Sequence, residues 1–114
     1  MPQRYQIDYI EFPSADGPGT QGFFTQAFGW GSTVYSPNYV GIDQAGIDGG
    51  VDSSPDRPAA PLAVIHADDL EEAERDVVAA GGVITVPAYD FPGGRRFHFR
   101  APGGIDLAVW VERA

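Results

Sequence analysis

Leu62-Ala63-Val64-Ile65-His66-Ala67-Asp68-Asp69-Leu70-Glu71-Glu72-Ala73-Glu74-Arg75-Asp76-Val77-Val78-Ala79-Ala80-Gly81-Gly82 reads as a strand running into a helix whose two ends are both marked. The first six residues form a short apolar run of strand length, and Leu70, Ala73, Val77 and Ala80 then recur on one helical face, which predicts a helix over 70–80. Asp68 or Asp69 can accept bonds from the free amides of the first turn, and Glu71 or Glu72 sits at capping-box distance. Gly81 supplies a left-handed terminator. The acidic residues Glu71, Glu72, Glu74 and Asp76 make a solvated face, with Glu71 and Arg75 at supportive i,i+4 spacing.

The same order occurs earlier in the chain. Ile7 to Phe12 is strand-like and leads through Ser14-Ala15-Asp16 into a segment where Phe23, Phe24, Ala27 and Phe28 have helical spacing, stopped by Gly29. Gly17, Pro18, Gly19 and Gly22 crowd its start, which predicts fraying before Thr20, although proline suits a first helical position. Short β candidates follow each helix: Gly31 to Tyr35, Asn38 to Ile42 and Ala45 to Val51, then Val83 to Tyr89, Arg95 to Arg100 and Ile105 to Val111. Ser36-Pro37, Asp43-Gln44, Phe91-Pro92-Gly93-Gly94 and Pro102-Gly103-Gly104 break them as turns. The halves align with Tyr9 on Leu62, Asp16 on Asp69, Gly29 on Gly82, and Gly49-Gly50 on Gly103-Gly104, the glycine pairs read as turns. The result is a single α+β domain over 1–114: module one over about 5–54, a polar, proline-rich linker over about 53–61, and module two over about 62–113.

Composition narrows the partners. The 114 residues suffice for one core, and the apolar share of 43% is that of a folding chain. Sixteen acidic against seven basic side chains give a net charge of −9, which repels phosphate backbones and argues against nucleic acid. All seven basic residues are arginine, a bias of composition that carries no functional reading. The absence of cysteine excludes a disulfide framework, a thiolate nucleophile and a sulfur-ligated metal. The stretch from Met1 to Tyr9 lacks the succession of a secretory leader, and no apolar run approaches the roughly 18 residues of a membrane span, so a cytoplasmic protein with no membrane partner is expected.

Several features together resemble the vicinal oxygen chelate superfamily, which includes glyoxalases, bleomycin-resistance proteins and extradiol dioxygenases. They are Asp16 before the first helix, Phe24 through Phe28-Gly29-Trp30 at its end, Asp69-Leu70 and Ala80-Gly81-Gly82 around the second helix, and Ala101-Pro102-Gly103-Gly104 before the last strand. That last turn is similar to the family's Asp-Pro-x-Gly-Asn turn but has Ala101 and Ile105 where its aspartate and asparagine would stand. The resemblance implies two tandem βαβββ modules forming a cup-shaped mixed sheet with helices outside, a ligand in the concavity, and commonly a homodimer.

Catalytic members hold a divalent metal at matched places in the two modules. On this chain those places fall on Tyr9, near Ser54, on Leu62 and on Ala108, none of which carries an imidazole or carboxylate. Strand alternation leaves room for a displaced set, because Tyr9 with Glu11, Leu62 and Val64 with His66, and Asp106 and Ala108 with Trp110 would share a face, so that Glu11, His66 and His98 could converge. Trp30 reads as core, and Tyr35 and Tyr39 as core or dimer contacts. Arg95-Arg96 could clamp a ligand anion or sit as a solvated hairpin end beside Asp90. Gly49-Gly50 and Gly93-Gly94 lack the lysine and spacing of phosphate loops, and no nucleophile elbow is present.

The expected function is binding of a small organic molecule, without catalytic residues, cofactor or metal, by a glyoxalase/bleomycin-resistance-like homodimer. The pocket residues would be Tyr9, Glu11, His66, His98, Asp106 and Trp110, with Arg95 and Arg96 as anion contacts. Two alternatives stand beside it: a metal-dependent lyase, isomerase or dioxygenase using the displaced site, or metal-free acid–base catalysis by Glu11 with His66; and a non-catalytic structural or interaction module.

Overall fold

The computed structural model describes residues 5–113; residues 1–4, part of the stretch read above for a leader, lie outside the described residues. The elements run β1 (Gln6–Pro13), α1 (Gly17–Phe28), β2 (Gly31–Ser36), β3 (Tyr39–Asp43), β4 (Asp48–Asp52), β5 (Leu62–His66), α2 (Leu70–Ala79), β6 (Val83–Phe91), β7 (Gly94–Ala101) and β8 (Ile105–Glu112). This is βαβββ twice over, an α+β arrangement with mixed strand pairing, as expected. Residues 53–61 join the two copies without a helix or strand. Among the described residues no helix is long and apolar enough to cross a membrane.

The residues divide into two compact units, one spanning Tyr9–Leu62 and the other formed by residues 5–8 with 63–113. In the first, the strand order is β2-β3-β4-β1, with β1 parallel to β4 and the remaining pairs antiparallel. Phe12, Val51 and Val40 are register partners and so share a face. Phe12 meets Phe24 of α1 at 5.6 Å between ring centroids, which places that face under the helix. Trp30 packs there as well, 5.1 Å from Phe24 and Phe28.

The second unit repeats the scheme with order β5-β8-β7-β6, β5 being parallel to β8. The alternation of Arg96-Phe97-His98-Phe99-Arg100 sends Phe97 and Phe99 toward α2 and the polar residues to the opposite face. Phe97 and Phe99 join Ala67, Leu70, Ala73 and Val109 in the core, where burial contributes roughly 25 cal/mol per Å² of apolar surface.

Both helix starts form as the aspartates dictate: Asp16 accepts from the Gly19 amide at 3.0 Å and Asp69 from the Glu72 amide at 3.1 Å. Gly29 and Gly81 take left-handed conformations at the helix ends. Replacing Asp69 by alanine is expected to cost about 1 kcal/mol by chemical denaturation, because the first-turn amides lose an acceptor while the hydrophobic face of α2 is untouched.

Three expectations need correction. Helix α1 begins at Gly17, not Thr20, because the Asp16 cap and Pro18 at the first positions offset the glycines that follow. Strand β4 begins at Asp48, since Gln44 and Gly46 adopt positive φ and use residues 44–47 for the turn. Gly49 and Gly50 are therefore not a turn but lie buried within β4. The true counterpart of the Gly103-Gly104 turn is this Gln44–Gly46 segment, with two positive-φ residues in each.

Candidate ligand-binding site

The face of the second unit turned away from α2 collects its chemistry by register. Arg96 lies opposite Trp110 across β7 and β8, His66 opposite Trp110 across β5 and β8, and His98 opposite Ala108, so all of them project from one face. Its aliphatic floor is Val64 and Ala108, both buried. Tyr89 joins from β6, although its separation from Val86, the register partner of His98, has the wrong parity for simple alternation. The register shifts between Ile84 and Val86 and between Val86 and Tyr89 supply the correction.

These side chains engage one another. His98 Nε2 lies 2.9 Å from the Tyr89 hydroxyl, 3.1 Å from Arg96 Nε and 3.0 Å from Arg96 Nη2. A guanidinium only donates, so His98 Nε2 is the acceptor toward Arg96. The Arg96 guanidinium also stands 5.9 Å from the Tyr89 ring centroid, a cation–π distance. His66 Nε2 meets Glu112 Oε2 at 2.6 Å, and the His66 ring lies edge-on to Trp110 at 5.1 Å. Trp110 is anchored twice more: its indole donates to Asp8 Oδ1 at 2.9 Å, and its ring contacts Phe91 at 6.4 Å. The result is a band of aromatic surface with the Arg96 guanidinium in its midst.

The first unit holds a different cluster. Tyr9 and Glu11 lie on the same side of β1, and Glu11 is 3% exposed. Tyr39 donates its hydroxyl hydrogen to Glu11 Oε2 at 2.9 Å, and the Tyr9 hydroxyl is hydrogen-bonded to the Tyr39 hydroxyl. With the single Tyr39 hydrogen given to the carboxylate, Tyr9 is the donor in the second bond, and the order is Tyr9 to Tyr39 to Glu11. Burial pushes the Tyr39 phenol far above its ordinary value, and the charges of Glu11 and then Tyr9 push it further in the same direction. Gly50, the register partner of Glu11, makes the cluster fit, because a Cβ there would overlap the Tyr39 and Tyr9 hydroxyls.

Other sequence candidates fall elsewhere. Asp106 is in an exposed ion pair with Arg100, Nε to Oδ1 2.9 Å, beside the β7–β8 turn. Arg95 and Arg96 lie on opposite faces of β7, as adjacent strand residues do: Arg95 pairs with Asp90 at 2.9 Å, and Arg96 turns to His98. Tyr39, Tyr89, Phe91, Asp8 and Glu112 were not among the expected site residues; of these, Tyr89 is placed by a bulge that leaves no local sequence signal.

The fold family's metal positions do not fit a cation. Leu62 and Ala108 are buried aliphatic side chains, and the Tyr9 hydroxyl is committed to Tyr39. The fourth position moves from Ser54 to Gly50: helix caps Asp16 and Asp69 set the offset that places Val64 on Glu11, and their parallel partners are Ala108 and Gly50. Gly50 has no side chain to offer. Among the described residues no three His, Asp or Glu side chains lie together as a metal would require.

No protein-family profile matches the chain, and no curated protein matches it in sequence. Solved structures do match in form. An NAD-dependent benzaldehyde dehydrogenase from Legionella pneumophila has a TM-score of 0.76 at 12% identity, covering 92% of this chain and 98% of its own. A glyoxalase/bleomycin resistance protein/dioxygenase superfamily member from Vibrio splendidus 12B01 has a TM-score of 0.71 at 15% identity, over 91% and 97%. A Mn(II)-bound glyoxalase from Novosphingobium aromaticivorans has a TM-score of 0.69 at 19% identity over 92% of this chain but only 38% of its own. At such identities the likeness carries the fold and nothing finer. This chain has the fold of the glyoxalase, bleomycin-resistance and dioxygenase proteins, that of the vicinal oxygen chelate superfamily.

Proposed function

We propose that the chain binds a small planar organic anion, such as an aromatic carboxylate, on the polar face of its second module, by capture rather than conversion and without a cation. The observation that supports this is Arg96 set among Tyr89, His98 and Trp110 on one sheet face. In a chain of net charge −9 the Arg96 guanidinium stands beside an aromatic ring and an imidazole, and its planar fork suits a carboxylate. Trp110 and Phe91 offer ring surface for the ligand's apolar body. Among the described residues no group of His, Asp or Glu offers a cation a donor set, which supports binding over catalysis in this reading.

The protein is further proposed to act as a homodimer; Phe23 and Phe28 of α1, 60% and 58% exposed, are apolar surface of the kind that pairing covers. Sedimentation velocity reads this directly.

Titration calorimetry with benzoate and larger aromatic carboxylates tests the site. Arg96→Ala is expected to weaken binding by about 10-fold or more, since a charge-assisted hydrogen bond contributes roughly 1.5–3 kcal/mol. Equal affinity of R96A and the parent, or stoichiometric metal in protein purified without chelator, would overturn the proposal.

A further inference from the structure

The opposite side of the second module's strands contains a separate cavity. Under the C-terminal half of α2 the inward residues are small: Ala73 and Val77 face the strands, and the chain leaves the helix through Ala80 and Gly82. Across from them lie Ile65 of β5, Phe99 of β7 and Val109 of β8. Leu70, one turn earlier, fills its own space against the core, but no comparable side chain stands at Ala73 or Ala80. These small residues leave an apolar pocket of about 310 Å³ beside the helix.

Its polar groups are accounted for. Asp76 and Tyr5 are the polar side chains on the wall, and the Tyr5 hydroxyl donates to Asp76 Oδ2, so the pair satisfies each other. Among the described residues no lysine, arginine or histidine lines the space. An anion would meet Asp76 in a chain that is already strongly acidic, and a cation would surrender its hydration to walls that are otherwise aliphatic and aromatic. An uncharged hydrophobe suffers neither penalty. The volume is about twice the 150 Å³ at which a dry apolar cavity takes up benzene, which admits one or two fused rings.

We infer that this pocket is a second small-molecule site, selective for a compact, uncharged aromatic or branched hydrocarbon. It is independent of the Arg96 face, because Phe99 and Val109 project toward α2 whereas Arg96, His98 and Trp110 project away from it.

Methyl-resolved NMR of the unaltered protein, titrated with toluene and then naphthalene, tests it. Saturable shifts confined to the methyls of Ile65, Val77 and Val109 are expected, with no saturable shift of those methyls on adding benzoate. Ala73→Leu fills the space and is expected to weaken toluene binding at least 10-fold while circular dichroism stays native. Shifts that do not saturate, that are absent from those three residues, or that benzoate reproduces would overturn the inference, as would a folded A73L with unchanged affinity. If A73L does not fold, the methyl map alone decides.

Discussion

Tyr39→Phe is expected to lower the unfolding free energy by about 1.5–3 kcal/mol, roughly 6–12 °C in Tm for a chain of this size. The phenol is the donor to Glu11, a carboxylate almost wholly removed from solvent, and phenylalanine keeps the ring while deleting the hydrogen bond. The Tyr9 hydroxyl loses its acceptor in the same step. The pH dependence separates this from a packing effect. In the native state the Tyr39 phenol titrates far above its ordinary value of 10.0, because of burial first and the Glu11 charge second. Once the pH passes that ordinary value, the unfolded chain releases a proton that the native chain retains, so unfolding becomes easier as pH rises. Stability from this group is thus fully present below about pH 10 and lost above it. The variant should lack this part of the alkaline decline. Denaturant melts from pH 7 to 11 check both statements, and a Y39F protein with parental stability and slope would show that Glu11 does not depend on the phenol.

Gly94→Ala should be damaging to a similar degree, for a reason that involves no polar group. Gly94 opens β7 opposite Glu112, and a Cβ there would overlap the Val111 carbonyl oxygen and stand 3.0 Å from both Arg113 N and Glu112 Cα. These are backbone atoms in a hydrogen-bonded ladder, so no rotamer change relieves the overlap and the ends of β7 and β8 must separate. Overpacking of this kind costs typically 1–3 kcal/mol. Because Glu112 holds His66, and His66 lies against Trp110, the variant should also change tryptophan emission in the folded state. Thermal unfolding followed by fluorescence reads both effects. Native emission with an unshifted Tm would mean that the strands accommodate a methyl without parting.

The helices were the most legible part of this chain, since a cap is a local event. Asp16 and Asp69 meet amides three residues away, and Gly29 and Gly81 stop helices by their own φ freedom. The shared faces of Tyr9 with Glu11, of Val64 with His66 and of Ala108 with Trp110 were equally plain, because a strand's two faces follow from its own pleat. Gly49-Gly50 misled for the opposite reason. A glycine pair resembles a turn, but here it lies in a strand, and what requires Gly50 is a pair of tyrosines from β1 and β3. Tyr39 passed for filler because its partner Glu11 is 28 residues away. Arg95 and Arg96 read as a pair although the pleat sends one to Asp90 and the other to His98.

The sequence by itself determined the two βαβββ copies, the capping aspartates and terminating glycines of the helices, and which residues of β1, β5 and β8 share a face, all of which depend on interactions within a few residues of chain. Tertiary structure alone decided that Gly50 lies against the Tyr9 and Tyr39 hydroxyls, that Tyr89 shifts onto the face of His98, and that an apolar pocket remains beneath the small residues of α2. Each of these depends on strand register or on packing between elements distant in sequence, and a one-residue change of register reverses every side chain on a strand.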